Sequence, residues 1–177
     1  MKKILIMAVG LVSIGAAACY AVASQKAVAV IKGAEEGSPI TGRAAFEETE
    51  QGLKVSVEVI GVPNPGPHGF HIHEKGSCED LGNAAGGHYN PHGVQHGFLP
   101  EDGHGAAHAG DMGNIEIKAD GSGTLELVLP EVSLSGEHNN VNGLAVILHE
   151  KTDDFGQPTG NAGGRIGCGI IKAEQAG

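Results

Sequence analysis

Short stretches in which apolar and polar residues alternate limit most strongly what this chain can fold into. In LKVSVEVI at 53–60, Leu53 and three valines would lie on one face of a β-strand, with mostly polar residues on the other. Glycine-rich turns separate this stretch from further predicted strands at 26–32, 40–48, 67–74, 114–119, 123–129, 143–149 and 165–172. Eight such strands predict an all-β fold, an eight-stranded antiparallel Greek-key barrel or sandwich.

Two segments without strand character interrupt this pattern. The first, 75–111, is rich in glycine, asparagine, proline and histidine and has no helical periodicity, and the second, 150–164, is shorter. Loops longer than about 12–15 residues are uncommon in a compact domain and usually have a function. The sequence therefore predicts two long functional loops.

Residues 1–23 have the organisation of a cleaved secretory signal. Lys2 and Lys3 precede an apolar run at 4–18, and small residues at 21–23 form a cleavage site of the A-x-A type. The apolar run is short for a transmembrane anchor, and no stop-transfer sequence follows it.

Two processing routes stay open. Cleavage after Ala23 would leave 24–177 as a single exported domain, long enough for a sizeable core. Cleavage before Cys19 would give a lipoprotein, and without that lipid no stable membrane contact is expected.

Two cysteines, Cys78 and Cys168, remain after cleavage at the first site. In an exported protein a cysteine pair predicts one disulfide, which would stabilise the fold by roughly 4–5 kcal/mol in the loop-entropy description. Two free buried thiols are the alternative, which an oxidising compartment disfavours.

The chain is acidic, with a formal net charge of −10 that becomes −12 when Lys2 and Lys3 are removed. An acidic body argues against nucleic acids and anionic membranes as partners. Tryptophan is absent and aromatic residues make up 3% of the chain, so no stacking surface for bases is expected. An anionic substrate would need a local positive site.

Histidines are concentrated in one part of the chain. In HGFHIHEKGSC at 68–78, His71 and His73 would point to one side of a strand while Ile72 points into the core. Three histidines and an aspartate suit a tetrahedral zinc site, and histidines from two strands suit copper. The further candidate ligands are His88, His96, His108, Asp111 and, at the end of a later strand, His149.

The chain resembles the copper,zinc superoxide dismutase family. The motifs GFHIHEKG, GGHYNP, HAGDMGN, GLAVILHEKTDD and GNAGGRIGCG occur in family order and at family spacing, from Lys26 to about Lys172. A lone His-x-His would be a weak signal, whereas five ordered motifs are specific. The resemblance implies dismutation of superoxide to oxygen and hydrogen peroxide, with one copper and one zinc ion per subunit, in protection of the cell envelope.

The resemblance also implies a role for each candidate ligand. His71, His73 and His149 match ligands of copper alone, and His88 matches the histidine whose imidazolate bridges copper and zinc. The residues that match the remaining zinc ligands are His96, His108 and Asp111.

Four other residues match conserved parts of the family site. Arg165 matches the active-site arginine beside copper, which would dock the anionic substrate. Asp153 matches the aspartate that hydrogen-bonds one ligand histidine from each metal site. Cys78 and Cys168 match the family disulfide and would tie the first long loop to the last strand. Simpler alternatives are a surface ion pair for Arg165 and a turn cap for Asp153.

Four histidines fall outside this ligand set. His68 is interpreted as structural, and His92 and His138 as solvated loop residues. His104 is also interpreted as solvated, although it lies four residues before His108 and could compete with it for zinc. The His-x-x-Asp spacing favours His108 as the ligand.

Three departures from the family pattern affect these predictions. Cys78 lies five residues after His73, as in exported bacterial members, which predicts a periplasmic protein. The loop at 150–164 is short and carries no charge in its last ten residues, which predicts weak electrostatic steering of the substrate. The segment 97–107 lengthens the stretch between two zinc ligands and puts the zinc geometry in question.

Two other classes of protein fit parts of the pattern. A non-catalytic copper or zinc reserve on the same fold would not need Arg165 beside the metal, and a structural sandwich domain would not need seven ordered ligands. Superoxide dismutation is therefore the favoured function. Some members of the family are monomers, and others form dimers through different faces. A homodimer is therefore one of the possible states of this protein.

Overall fold

A computed structural model describes residues 25–174, and the predicted signal segment 1–23 lies outside them. All eight predicted strands are present, and a short ninth strand extends the last of them. Within the described residues the strands are β1 (Lys26–Gly33), β2 (Thr41–Thr49), β3 (Gly52–Ile60), β4 (Gly66–His73), β5 (Asp111–Ile117), β6 (Gly123–Leu129), β7 (Ala145–His149), β8 (Arg165–Ile170) and β9 (Lys172–Ala173).

The first eight strands form a closed antiparallel barrel. Their order around the barrel is β1-β2-β3-β6-β5-β4-β7-β8, and β8 pairs with β1 to close it. The connections from β3 to β4 and from β6 to β7 each pass over two intervening strands, as in a Greek key. The predicted all-β fold class is confirmed.

The structure differs from the sequence prediction at the end of the first long loop and inside it. β5 begins at Asp111, three residues earlier than predicted. The predicted start was too late because Gly113, with a φ of +72°, interrupts the alternation of the strand. The loop contains a 3₁₀ segment, Asp80–Ala85, and a short helix α1, Leu99–Asp102. Single helical turns are too short to show a periodic pattern. No helix within 25–174 is long and apolar enough to cross a membrane.

Strand β4 is buried on both faces, and this is what positions the candidate ligands. Ile72 points into the barrel core, whereas His71 and His73 on the outer face are at most 1% exposed. The two long loops cover that face, and the backbone of β4 donates hydrogen bonds to the carbonyls of Lys151 and Gly110. The long loops thus enclose the outer face of β4 instead of leaving it to solvent.

Candidate metal centre

The structure brings the seven predicted ligands into two adjacent groups. In the first group, one ring nitrogen from each of four buried histidines lies within 4.8 Å of the others. Two of these residues are on β4 and one ends β7, and the pairing of these strands puts them side by side. We call the set the strand group; it consists of His71, His73, His88 and His149.

The second group shares His88 with the first and consists of His88, His96, His108 and Asp111. We call it the loop group, because all but Asp111 come from the first long loop. Asp111 Oδ1 lies 2.8 Å from His88 Nδ1 and 3.2 Å from His108 Nδ1, and Oδ2 lies 2.8 Å from His96 Nδ1. The backbone N–H groups of Gly97 and His108 also donate to Oδ2, so the carboxylate is held from several directions.

Asp153 connects the two groups. Its carboxylate accepts hydrogen bonds from His71 Nε2 at 2.8 Å and from His96 Nε2 at 2.9 Å. Asn114 on β5 holds the backbone of Asp153 with two hydrogen bonds, of 2.7 and 2.9 Å. Gly160 has a φ of +74°, and a Cβ atom there would collide with Asp153 Oδ1, so glycine permits this close approach.

Hydrogen bonds fix which ring nitrogens of the strand group carry a free lone pair. His71 Nε2 donates to Asp153, which leaves Nδ1 bare; that atom is buried and has no hydrogen-bond partner among residues 25–174. His73 Nδ1 lies 3.0 Å from the Gly86 carbonyl, which leaves Nε2 bare. This Nε2 is 3.3 Å from His149 Nε2, whose Nδ1 faces another backbone carbonyl. Converging bare nitrogens are the donor set that a transition-metal ion requires.

Three of the four rings of the strand group have strongly lowered pKa values. Burial lowers the pKa of His73 to about 2, with a further contribution from the neighbouring His88. Burial likewise lowers the pKa of His149 to about 3 and that of His88 to about 4. At neutral pH these rings are uncharged, so their lone pairs are available to a metal ion.

The loop group has the opposite electrostatic character. Burial acts to lower the pKa of His96, but hydrogen bonds to Asp111 and Asp153 outweigh it and raise the pKa to about 9. Burial acts to raise the pKa of Asp111, yet hydrogen bonds from the three surrounding histidines hold it well below its usual range. The carboxylates of Asp111 and Asp153 thus stabilise positive charge at this group, and a bound divalent cation would supply that charge.

Arg165 lies at the edge of the strand group. Its Nη1 and Nη2 donate to the carbonyls of Gly82 and Gly86, at 2.5 and 2.6 Å, and the Gly86 carbonyl also accepts from His73. Arg165 shares with His73 and His149 a cavity of about 360 Å³. Within residues 25–174 it forms no ion pair with a carboxylate, so the surface ion-pair alternative has no support here.

The predicted disulfide is confirmed, because Cys78 and Cys168 are bonded with their Cα atoms 5.7 Å apart. Cys168 lies on β8 with Arg165, and Cys78 lies two residues before the 3₁₀ segment that contains Gly82. The bond therefore joins the arginine's own strand to the loop that supplies its carbonyl acceptors.

The lengthened segment 97–107 does not separate the zinc-type ligands. It folds into α1, which contacts β5 and β6, and Leu99 of this helix is fully buried. His96 and His108 on either side of the segment remain in one group.

Sequence reasoning missed two residues that support the loop group, Asn114 and Phe155. The Phe155 ring stacks on His96, with centroids 6.2 Å apart, and Phe98 packs beside it. Phe155 is 45% exposed and His96 only 3%, so the aromatic ring lies between His96 and solvent. In the sequence, Asn114 is the last residue of the motif HAGDMGN and Phe155 directly follows the motif GLAVILHEKTDD. No other sequence signal marks these two positions.

The four histidines outside the ligand set occupy different environments. His68 is buried, and its two ring nitrogens lie 2.8 Å from the carbonyls of His149 and Asn64, as a structural histidine would. His138 and His92 are exposed. The expectation of a solvated side chain is wrong for His104, which is half-buried because its ring packs against the β6–β7 connection.

Comparisons with known proteins agree with this geometry. A sequence model of the family described as copper/zinc superoxide dismutase matches residues 40–171. The extracellular Cu-Zn superoxide dismutase of Caenorhabditis elegans is 42% identical over 168 residues, covering 86% of this chain and 72% of that protein. The protein of the same name from Haemonchus contortus is 46% identical over 129 residues, covering 67% and 66%. A solved structure described as the clock protein EA4 has a TM-score of 0.73 and 37% identity, covering 86% of this chain and 97% of that one.

Proposed function

Because the chain belongs to the copper/zinc superoxide dismutase family, we propose that it dismutates superoxide at the metal centre formed by the strand and loop groups. Two superoxide anions and two protons give one molecule of oxygen and one of hydrogen peroxide. The family uses copper and zinc as cofactors. The observation that carries the proposal is the presence of two four-ligand groups that share the single residue His88.

Copper binds the strand group and zinc binds the loop group in this proposal, one ion of each per subunit. Bare nitrogens on neutral imidazoles suit copper, and three histidines with one carboxylate suit tetrahedral zinc. When bound, copper supplies one-electron redox chemistry by alternating between two oxidation states, whereas zinc supplies positive charge without redox chemistry. Asp153 orients one ligand of each ion, His71 and His96, through their Nε2 atoms.

His88 is the residue suited to proton delivery. Its Nδ1 points at Asp111, so Nε2 is the nitrogen left for the strand group. His88 would be a ligand that both ions share, and its Nε2 would take up a proton in one half of the cycle and give it to the peroxide product in the other. The loop group on the Nδ1 side would keep the ring in place while Nε2 changes its partner.

Arg165 provides the local positive site that an anionic substrate needs on an acidic protein. Its guanidinium lines the same cavity as His73 and His149 and is held rigidly by two carbonyls. A fixed cation in a cleft attracts small anions at short range even when the net charge is −10. Arg165 therefore binds and orients superoxide beside the strand group.

The relatives are named extracellular enzymes, which supports an exported protein. The proposal extends this to a cleaved signal at 1–23 and a periplasmic location, where the enzyme would protect the cell envelope. N-terminal sequencing of the secreted protein tests the cleavage site, since Ser24 is expected as the first residue. A start at Cys19 would show lipoprotein processing instead.

The function is tested by the direct rate of superoxide decay with the 24–177 protein loaded with copper and zinc. We expect fast decay that a copper chelator abolishes. Arg165→Ala should slow it by about tenfold or more, since one lost anion contact of about 1.4 kcal/mol changes a rate tenfold.

Arg43→Ala is the matched control, because it removes the same charge from an exposed position that pairs with Glu174 on the barrel surface. It should leave the rate unchanged. Stoichiometric copper binding without superoxide decay would instead identify a metal-storage protein.

A further inference from the structure

Two histidines outside the metal centre, His92 and His104, form a pair, and we propose that they bind a further transition-metal ion, zinc or copper. The pair lies in the first long loop and belongs to neither the strand group nor the loop group. Among residues 25–174, two buried side-chain nitrogen or oxygen atoms have no hydrogen-bond partner, His71 Nδ1 and His104 Nδ1. His71 Nδ1 belongs to the strand group. A buried ring nitrogen without a hydrogen-bond partner therefore occurs a second time, at His104.

The tautomer of His104 follows from its surroundings. His104 Nε2 lies 2.8 Å from the Pro130 carbonyl oxygen, which can only accept a hydrogen bond. In the neutral ring the proton is therefore on Nε2, and Nδ1 carries a free lone pair. Because this nitrogen is buried without a donor, its lone pair is available to a metal ion.

The neighbouring ring has the same tautomer. His92 Nε2 lies 2.9 Å from Asn139 Oδ1, and Asn139 Nδ2 donates to the Glu131 carbonyl, which fixes the orientation of the amide. In neutral His92 the proton is again on Nε2 and the lone pair on Nδ1. Both rings of the pair thus use Nε2 to attach to the β6–β7 connection and keep Nδ1 for another partner.

The distance between the two rings fits one shared ion. Their centroids are 5.2 Å apart and their planes are inclined at 71°. Two imidazoles bound tetrahedrally with metal–nitrogen bonds of about 2.05 Å have centroids about 5.2 Å apart. The histidine pairs of the loop group show the same spacing, 5.2 Å, 5.5 Å and 5.3 Å. The pair therefore has the same separation as the histidines of the loop group.

The chemistry of the pair selects the ion. Two neutral imidazoles suit zinc or copper, whereas magnesium and calcium require oxygen ligands. With two protein ligands and solvent in the other positions, the pair should bind more weakly than a four-ligand site. His92 is exposed, so an ion can approach the pair from the solvent side of that ring. A bound ion would link the two ends of the segment 92–104, which contains His96 of the loop group.

The experiment counts ions on the 24–177 protein already loaded with copper and zinc. Equilibrium dialysis against free zinc, followed by metal analysis, should find one more zinc ion per chain than the loaded protein holds. His92→Ala and His104→Ala should each abolish this additional ion and leave the first two in place. His138→Ala, which removes another exposed histidine, should retain it.

A second measurement identifies the atoms. In ¹⁵N spectra of the histidine side chains, addition of zinc should shift the Nδ1 resonances of His92 and His104 and leave their Nε2 resonances protonated. An unchanged ion count, retention of the additional ion in both variants, or unshifted Nδ1 resonances would each overturn the proposal. Superoxide decay should be measured in the same samples. Because the dismutase proposal does not depend on His92 and His104, normal decay without an additional ion would overturn the proposal for the pair alone.

Discussion

The strand group and the loop group share His88 but are built in opposite ways. The strand group takes three of its four ligands from β4 and β7, whose hydrogen-bonded pairing sets the spacing of the side chains. The loop group takes its histidines from a long irregular segment, and Asp111 holds all three through their Nδ1 atoms. A sheet therefore positions one half of the centre, and a buried carboxylate organises the other.

The difference in electrostatics suits the two proposed metals. His73, His88 and His149 of the strand group are uncharged at neutral pH, and the group opens to a cavity with Arg165, through which small anions can exchange. The loop group contains a buried carboxylate that favours positive charge around it, and Phe155 lies between His96 and solvent, which favours retention of a cation. In the proposed function, one centre would thus combine an accessible redox site with a closed structural site.

The largest expected effect comes from removing a ligand of the strand group alone. His149→Ala should lower the rate of superoxide decay by more than about a hundredfold, because loss of residues that merely orient ligands already costs 10–100-fold. The zinc content, measured by metal analysis, should stay at one ion per chain, since His149 is not a member of the loop group. His138→Ala serves as the control and should keep full activity. Loss of zinc together with copper would show that the two halves are not separable.

A smaller effect is expected from the residue that joins the halves. Asp153→Asn keeps the size of the side chain but removes the shared carboxylate acceptor of His71 and His96. Zinc affinity, measured by competition with a chelator, should fall by about 10–100-fold. Asp154→Asn, at the exposed neighbouring position, should change it little. Equal zinc affinities in the two variants would contradict a connecting role for Asp153.

The smallest effect concerns long-range attraction of the substrate. Lys151 lies beside the cavity next to Gly163, but the following part of the loop, 155–164, carries no charge. The rate of superoxide decay should therefore vary by only about twofold as added salt shortens the Debye length from roughly 30 to 8 Å. Lys151→Ala should change the rate by a similar amount. A steep fall of the rate with salt would show that steering extends well beyond Arg165.

Sequence and structure agree wherever a local pattern carries the information. The strand patterns located all eight barrel strands, most of which have one face toward the core and the other toward solvent. The start of β5 was misplaced because Gly113 and a register shift against β4 remove the alternation there. The His-x-His spacing on β4 likewise placed two side chains on one face, and the structure has both beside His149.

Other features depend on contacts between residues that are far apart in the chain. Asn114 binds the backbone of Asp153, 39 residues away, and no local pattern signals such a bond. His104 was expected to be solvated, but its ring packs against Pro130, which only the path of the β6–β7 connection makes close. Contacts of this kind arise from chain topology, which a periodic pattern does not encode.

By itself the sequence determined the all-β class, the two long loops, the disulfide and the set of residue types able to bind copper and zinc. Only the tertiary structure decided which ring nitrogens carry free lone pairs, and that His92 lies beside His104. The physical reason is that a histidine's tautomer is set by its hydrogen-bond partner, and here the partners lie in other segments: Asp153 for His71, Gly86 for His73 and Pro130 for His104.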